Sequence, residues 1–206
     1  MPTKNKPTHL SGFLYNCPLF KKMKLLTKFI NGNNSGKKVL GLFILTNVVY
    51  MIMLTVTIPK TMKFSNEMRL LDMMPMGYDL NYVNQLFNSL GEIGRDVYLT
   101  SQIPVDMLYP LLFGLTYCLI LAYFLKKINK FNTPFTLLCY IPIIAGIADY
   151  LENFGIITML NNYPELTDST VKTISLFSQI KSFSTSIFFI VLIVILIKLG
   201  VKFMKK

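Results

Sequence analysis

Three carboxylates lie in apolar runs, where carboxylates are costly. Asp106 interrupts the run 103–124, and Asp149 and Glu152 interrupt the run 135–160. An acid at the centre of a bilayer costs about 2.5–3.5 kcal/mol on insertion scales, so such residues face a protein interior or a wet cavity rather than lipid. Carboxyls brought together in a dry site can divide acid and base roles between them. As the only ligands of a metal they would suit a hard cation, but no metal and no cofactor is expected. The sole histidine is His9, which excludes histidine-based metal sites and Ser-His-Asp catalysis. Neither a GxSxG nor an HExxH pattern is present. Gly32 to Lys38 is one residue short of a phosphate loop and ends on lysine instead of serine or threonine.

Helical spacing indicates what stands beside the acids. At roughly 100° per residue, Arg95, Tyr98, Gln102, Asp106 and Tyr109 share one face. Asp149, Glu152 and Asn153 share another, and Ser175, Gln179, Ser182 and Ser186 form a third polar stripe. These spacings nominate Asp106, Asp149 and Glu152 as the candidate catalytic residues. Arg95, Tyr98, Gln102, Asn153 and Gln179 are the candidate ligand-binding residues. Pro110 cannot donate to the carbonyl four residues back, so the carbonyl of Asp106 should be free to accept another donor. Pro104 complicates the first stripe, because a break there would carry Arg95 and Tyr98 off the Asp106 face. Each stripe also has a purely structural reading. Arg95 can pair with an acid to hold helices together, and Ser178, Ser182 and Ser186 at four-residue steps suit close helix packing. Tyr109, Tyr117, Tyr123 and Tyr140 fit an interface belt, and Asn47 and Tyr50 fit contacts between helices.

The elements that must position these residues follow from composition. The chain has 206 residues, 52% of them hydrophobic and only 15% charged, with a mean hydropathy of +0.49. A soluble domain carries about 25% charged residues. The composition therefore excludes a disordered chain, a nucleic-acid-binding domain and an ordinary cytosolic enzyme. A membrane-crossing helix needs about 20 apolar residues, and four stretches qualify: 39–58, 103–124, 135–160 and one within 182–201. The first is too long for a signal-peptide core and lacks a cleavage site, so it reads as an uncleaved span. The expected fold is all-α, a four-transmembrane-helix bundle forming one domain, 39–206, behind a basic arm, 1–38. Between the first two spans Asp79 can cap a short surface helix carrying Val83, Leu86, Phe87 and Leu90, which Gly91 and Gly94 would interrupt.

Charge sets the expected orientation. There are 21 Lys and Arg against 10 Asp and Glu. The arm, the 125–134 connection and the C-terminal end carry fifteen cations and no acid, whereas 59–102 and 161–181 carry six cations and seven acids. With four spans the basic segments share one side, which places both termini in the cytoplasm of a cell-membrane protein. The charge asymmetry then records topology, and no nucleic-acid partner is needed to explain it. On this topology the three polar stripes converge in the outer half of the bilayer. Within the arm, Phe20, Met23, Leu26 and Ile30 recur at helical steps beside Lys21, Lys24 and Lys28, as in a basic helix lying on the inner leaflet. Cys17, Cys118 and Cys139 form no CxxC pair and read as small buried hydrophobes.

The segment from Tyr78 to Asn153 resembles an uncharacterised family of small bacterial four-span integral membrane proteins. The likeness rests on Tyr78-Asp79, Gly91-Glu92, Gly94-Arg95 with Tyr98, Asp106 with Tyr109-Pro110, and Asp149-Tyr150-Leu151-Glu152-Asn153. It implies the four-span fold and supplies no activity. Three functions are compatible with these residues. The first is a binding or accessory membrane protein, with a lipid or amphiphile ligand, a protein partner or a second copy of itself. The second is a membrane-embedded enzyme using its carboxylates on a lipid or amphiphile, with Asp149 or Glu152 as base, Asp106 as its partner and Arg95 on an anionic head group. The third is a small ion- or proton-coupled transporter, against which the lack of an internal repeat argues.

Overall fold

The computed structural model describes residues 27, 28, 30, 32–131 and 133–204. Most of the basic arm, with the amphipathic stretch at 20–30, His9 and Cys17, lies outside the described residues. Among the described residues the chain is all-α, and four of its helices are long and apolar enough to cross a membrane. Helix α1 spans Gly36–Met62. Helices α2 (Leu80–Val97) and α3 (Ile103–Lys127) follow one another in a 48-residue helical segment that kinks at Gly91. A 3-10 turn, Pro134–Tyr140, leads into α4 (Ile141–Asn162), and α5 is a single helix, Asp168–Met204. Large side chains such as Ile44, Met51, Phe183, Ile190 and Ile197 point outward from α1 and α5, about half exposed. Such all-round apolar surface suits a lipid environment.

Helix α3 is the centre. Phe113, Tyr117, Cys118, Leu119, Leu121, Ala122 and Leu125 are buried along it. Helix α1 packs on one side of α3 and α4 on the other, while α5 lies chiefly on α4. Small residues permit the α3–α4 approach. A Cβ on Gly146 would come 2.7 Å from the Pro110 carbonyl oxygen, and one on Gly114 would come 3.5 Å from that of Pro142. Without a hydrophobic force between helices in lipid, this backbone proximity is a main source of packing energy. Thr46 of α1 and Thr116 of α3 add a buried hydroxyl contact of 2.8 Å.

Two helices carry a π-helical turn, Met53–Thr57 in α1 and Tyr98–Gln102 ahead of α3. Each ends just before a proline, Pro59 or Pro104, and the amide before the proline reaches five residues back, Ile58 to Met53 and Ile103 to Tyr98. The ring removes a donor and crowds the preceding turn, which widens to accommodate it. Helix α1 therefore continues past Pro59 to Met62 instead of stopping there. The residues two before each proline, Thr57 and Gln102, face one another and share a short hydrogen bond.

Helix α2 starts as expected, with Asp79 Oδ1 accepting from the Tyr82 amide at 2.8 Å. Val83, Leu86, Phe87 and Leu90 are buried beneath it. The break falls at Gly91, whose φ of 61° and ψ of −174° a side chain would strain. Gly94 interrupts nothing. It lets Phe64 pack closely, since a Cβ there would lie 2.6 Å from that of Phe64.

If the α3–α4 seam depends on that close approach, Gly146→Leu must push the helices apart at a cost of about 1–3 kcal/mol. The purified variant should unfold at a lower temperature in a mild detergent. Gly41→Leu, where no atom lies within 4 Å, should leave the midpoint unchanged.

Candidate functional site

The three predicted carboxyls converge. Asp106, Asp149 and Glu152 are 3%, 6% and 0% exposed, and they gather near one end of the bundle around a cation that the hydropathy pattern had assigned to a connection. Lys181 belongs to α5, which begins at Asp168, well before the predicted span. Its Nζ lies 3.2 Å from Asp149 Oδ1, forms a short ion pair with Glu152 Oε2 and donates to the Asp72 carbonyl at 3.4 Å. The Ser178 hydroxyl donates to Glu152 Oε1 from one turn earlier on α5. One ammonium thus ties α4, α5 and the segment between α1 and α2 together. Two buried carboxylates and a buried ammonium are tolerable only as a set, because each alone would keep its full desolvation penalty.

Asp72 is the fourth acid of the group and comes from the 3-10 turn Leu71–Met73. Tyr98 Oη donates to its Oδ1 at 2.8 Å, and Gln102 Nε2 donates to its Oδ2 at 2.8 Å. Tyr78, whose amide donates to Ser175 Oγ at 2.8 Å, brings a buried hydroxyl into the same region. Burial holds this phenol above its ordinary pKa, and the nearby Glu152 carboxylate adds to the shift.

Pro110 has the predicted effect. The Asp106 carbonyl, deprived of its helical donor, accepts from Asn153 Nδ2 of α4 at 3.2 Å. The carboxyl of Asp106 is different. Its Oδ2 is buried and has no hydrogen-bond partner among the described residues. Asp106 is one of the residues lining a cavity of about 470 Å³, together with Asp72, Asp149, Lys181, Ser182 and Ser186, with Tyr50, Tyr109 and Phe113 on the apolar wall.

A second cavity, about 720 Å³, adjoins the first. Tyr50, Tyr109, Phe113 and Thr185 line both. The second runs toward the opposite end of the bundle past Phe43, Phe189, Tyr123 and Gly36. It exists because α1 packs along α3 and stands off from α5. Counting along α1 from Tyr50 to Gly36 gives roughly 21 Å at 1.5 Å per residue. The first cavity carries the ionisable side chains of Asp72, Asp106, Asp149 and Lys181, and the second has no charged lining residue, only aliphatic and aromatic side chains with Asn47 and Thr185.

The candidate ligand-binding residues scatter around these cavities. Tyr98 and Gln102 serve Asp72, and Asn153 serves the Asp106 backbone. Gln179 packs on Gly77, where an added Cβ would sit 2.7 Å from its Nε2. Arg95 is elsewhere. Its guanidinium donates to the Phe87 carbonyl at 2.9 Å and lies 4.7 Å over the Tyr163 ring. The π turn Tyr98–Gln102 changes the helical phase between Arg95 and Asp106, so a uniform 100° step misplaces it. Arg95 therefore neither pairs with the three acids nor reaches the cavity. Lys181 and Asp72 were missed. Their signal was a lysine in phase with the serine stripe and an acid in a connection long enough to fold back.

Tyr109 and Tyr50 stack at 5.4 Å and line the groove. Tyr117 is buried and packs on Phe113 and Phe188. Comparison with protein-family models, with curated proteins and with solved structures finds no match.

Removing the ammonium should expose the dependence of the acids on it. Lys181→Met strands Asp149 and Glu152, which should cost about 3–5 kcal/mol and lower both membrane yield and unfolding temperature. Adding Glu152→Gln to Lys181→Met should recover part of that loss. A double variant no more stable than the single one would refute the shared-charge account.

Proposed function

We propose that this protein is a multi-pass cell-membrane protein that binds an amphiphile, with the head group in the acid-lined chamber and the chain in the apolar groove between α1 and α5. The observation that carries the reading is that the two cavities adjoin, with Tyr50, Tyr109, Phe113 and Thr185 lining both. A polar chamber alone would suit a solute, and an apolar groove alone would suit a packing defect. Joined, they match a molecule with both characters. The groove opens beside α1, so a ligand can enter sideways from the lipid.

The charge distribution supports an orientation with both termini cytoplasmic. Lys37, Lys38, Lys126, Lys127, Lys130, Lys198 and Lys202 flank the end of the bundle away from the chamber. In this orientation the head group is held in the outer half of the bilayer.

Binding is favoured over acid–base catalysis because the carboxyls are mostly committed. Asp149 and Glu152 are held by Lys181, and Asp72 by Tyr98 and Gln102. Asp106 Oδ2 is buried without a hydrogen-bond partner among the described residues, whereas a carboxylate pair dividing acid and base roles needs two reactive partners. The proposed protein is thus a lipid- or amphiphile-binding component of the membrane.

Thr185 stands where the cavities meet, so Thr185→Trp should block passage of a chain while leaving the charged cluster untouched. A fluorescent alkyl probe should bind the purified wild type saturably. The variant should bind it about tenfold more weakly or worse, a loss of roughly 1.4 kcal/mol, with unchanged helical content by circular dichroism. Equal binding by the two proteins would overturn the proposal.

A further inference from the structure

We infer that the head group is cationic, an alkylamine or quaternary ammonium amphiphile; this rests on the amphiphile reading above and adds the chemistry of the head. Three carboxyl-bearing residues line the chamber, Asp72, Asp106 and Asp149, and its one basic lining residue is Lys181. That lysine is already spent on Asp149, Glu152 and the Asp72 carbonyl. An anionic head would meet carboxylates with no uncommitted cation to receive it. An ammonium would meet the reverse situation.

The free oxygen of Asp106 supplies the specific contact. Asp106 lines the chamber, and this oxygen is buried without a hydrogen-bond partner among the described residues. Buried polar atoms are almost always satisfied, and an orphan beside a cavity marks the place of a missing donor. A positively charged donor makes the stronger bond there, because charge-assisted hydrogen bonds are roughly twice as strong as neutral ones. The stacked rings of Tyr50 and Tyr109 form the adjoining wall. Aromatic faces attract cations, including quaternary ammonium groups that can donate no hydrogen bond. Carboxyls and aromatic rings are two means by which proteins hold an ammonium, and both line this chamber.

The test uses the full chain in nanodiscs and three probes with the same alkyl chain: dodecylamine, uncharged dodecyl maltoside and dodecyl sulfate. Affinities are measured by equilibrium dialysis. The amine should bind at least about tenfold more tightly than the sulfate, and Asp106→Asn should remove about tenfold of the amine's affinity while leaving the maltoside's unchanged. Asp72→Asn, in a connecting segment, provides a second reading should the α3 variant fail to fold. It too should weaken the amine selectively. Equal binding of all three probes, tightest binding of the sulfate, or an amine preference indifferent to the variants that fold would overturn the cationic head while leaving an amphiphile site standing. Failure of every probe to bind would overturn the amphiphile reading itself.

Discussion

Lys181 places a positive charge inside an apolar helix, and the arrangement around it follows from the cost of leaving that charge alone. Asp149, Glu152 and the Asp72 carbonyl converge on one ammonium from α4 and from the connection after α1. Lipid offers these groups no solvation, so the helices must turn these faces toward each other. The charged set therefore fixes the rotation of α4 and α5 about their axes. The apolar residues could not do this, since they are equally content against lipid or protein.

The prolines work through the same constraint. Pro110 frees the Asp106 carbonyl, and Asn153 accepts the task of satisfying it. Pro59 and Pro104 each widen the preceding turn, and the two widened turns meet through Thr57 and Gln102. Gln102 then reaches Asp72 with its other end. Backbone irregularity in the apolar region is thereby repaired by side chains from a neighbouring helix, and the repairs connect α1, α3 and α4 to the charged cluster.

Much of this could be read from residue order. Four apolar runs foretold the spans, the alternation of acids foretold a shared face, and Asp79 foretold the start of α2. Pro110 even foretold a free carbonyl at the right residue. The failures have physical causes. A hydropathy window stops at a lysine, so Lys181 fell outside the fourth span although its charge is neutralised within it. Asp72 sits in a connection whose fold-back depends on Tyr98 and Gln102, a long-range pairing with no local signature. Arg95 was placed by extrapolating a regular helix through the π turn Tyr98–Gln102, and that irregularity is enough to change the face. Gln179 was assigned by phase correctly to the polar side of α5, but phase does not distinguish a cavity wall from a contact with Gly77.

A network whose only purpose was to hold helices together would be expected to close on itself. Most of this one does: Ser178 completes Glu152, Asn153 completes the Asp106 backbone, and Tyr98 with Gln102 completes Asp72. Among the described residues Asp106 Oδ2, Asn153 Oδ1 and the Tyr78 hydroxyl stay without a hydrogen-bond partner, and of these three residues it is Asp106 that lines the chamber. From α1, Met53, Leu54 and Ile58 bring apolar side chains to the same cavity, and Tyr50, whose hydroxyl could donate, makes no bond to Asp106 Oδ2. Helix α1 instead leaves the space open and continues it along α3 as a groove. An unsatisfied carboxyl and an unfilled groove are separately unfavourable, and a single two-ended ligand relieves both. That shared remedy is the reason to read the two together as a binding site and not as two independent imperfections of packing.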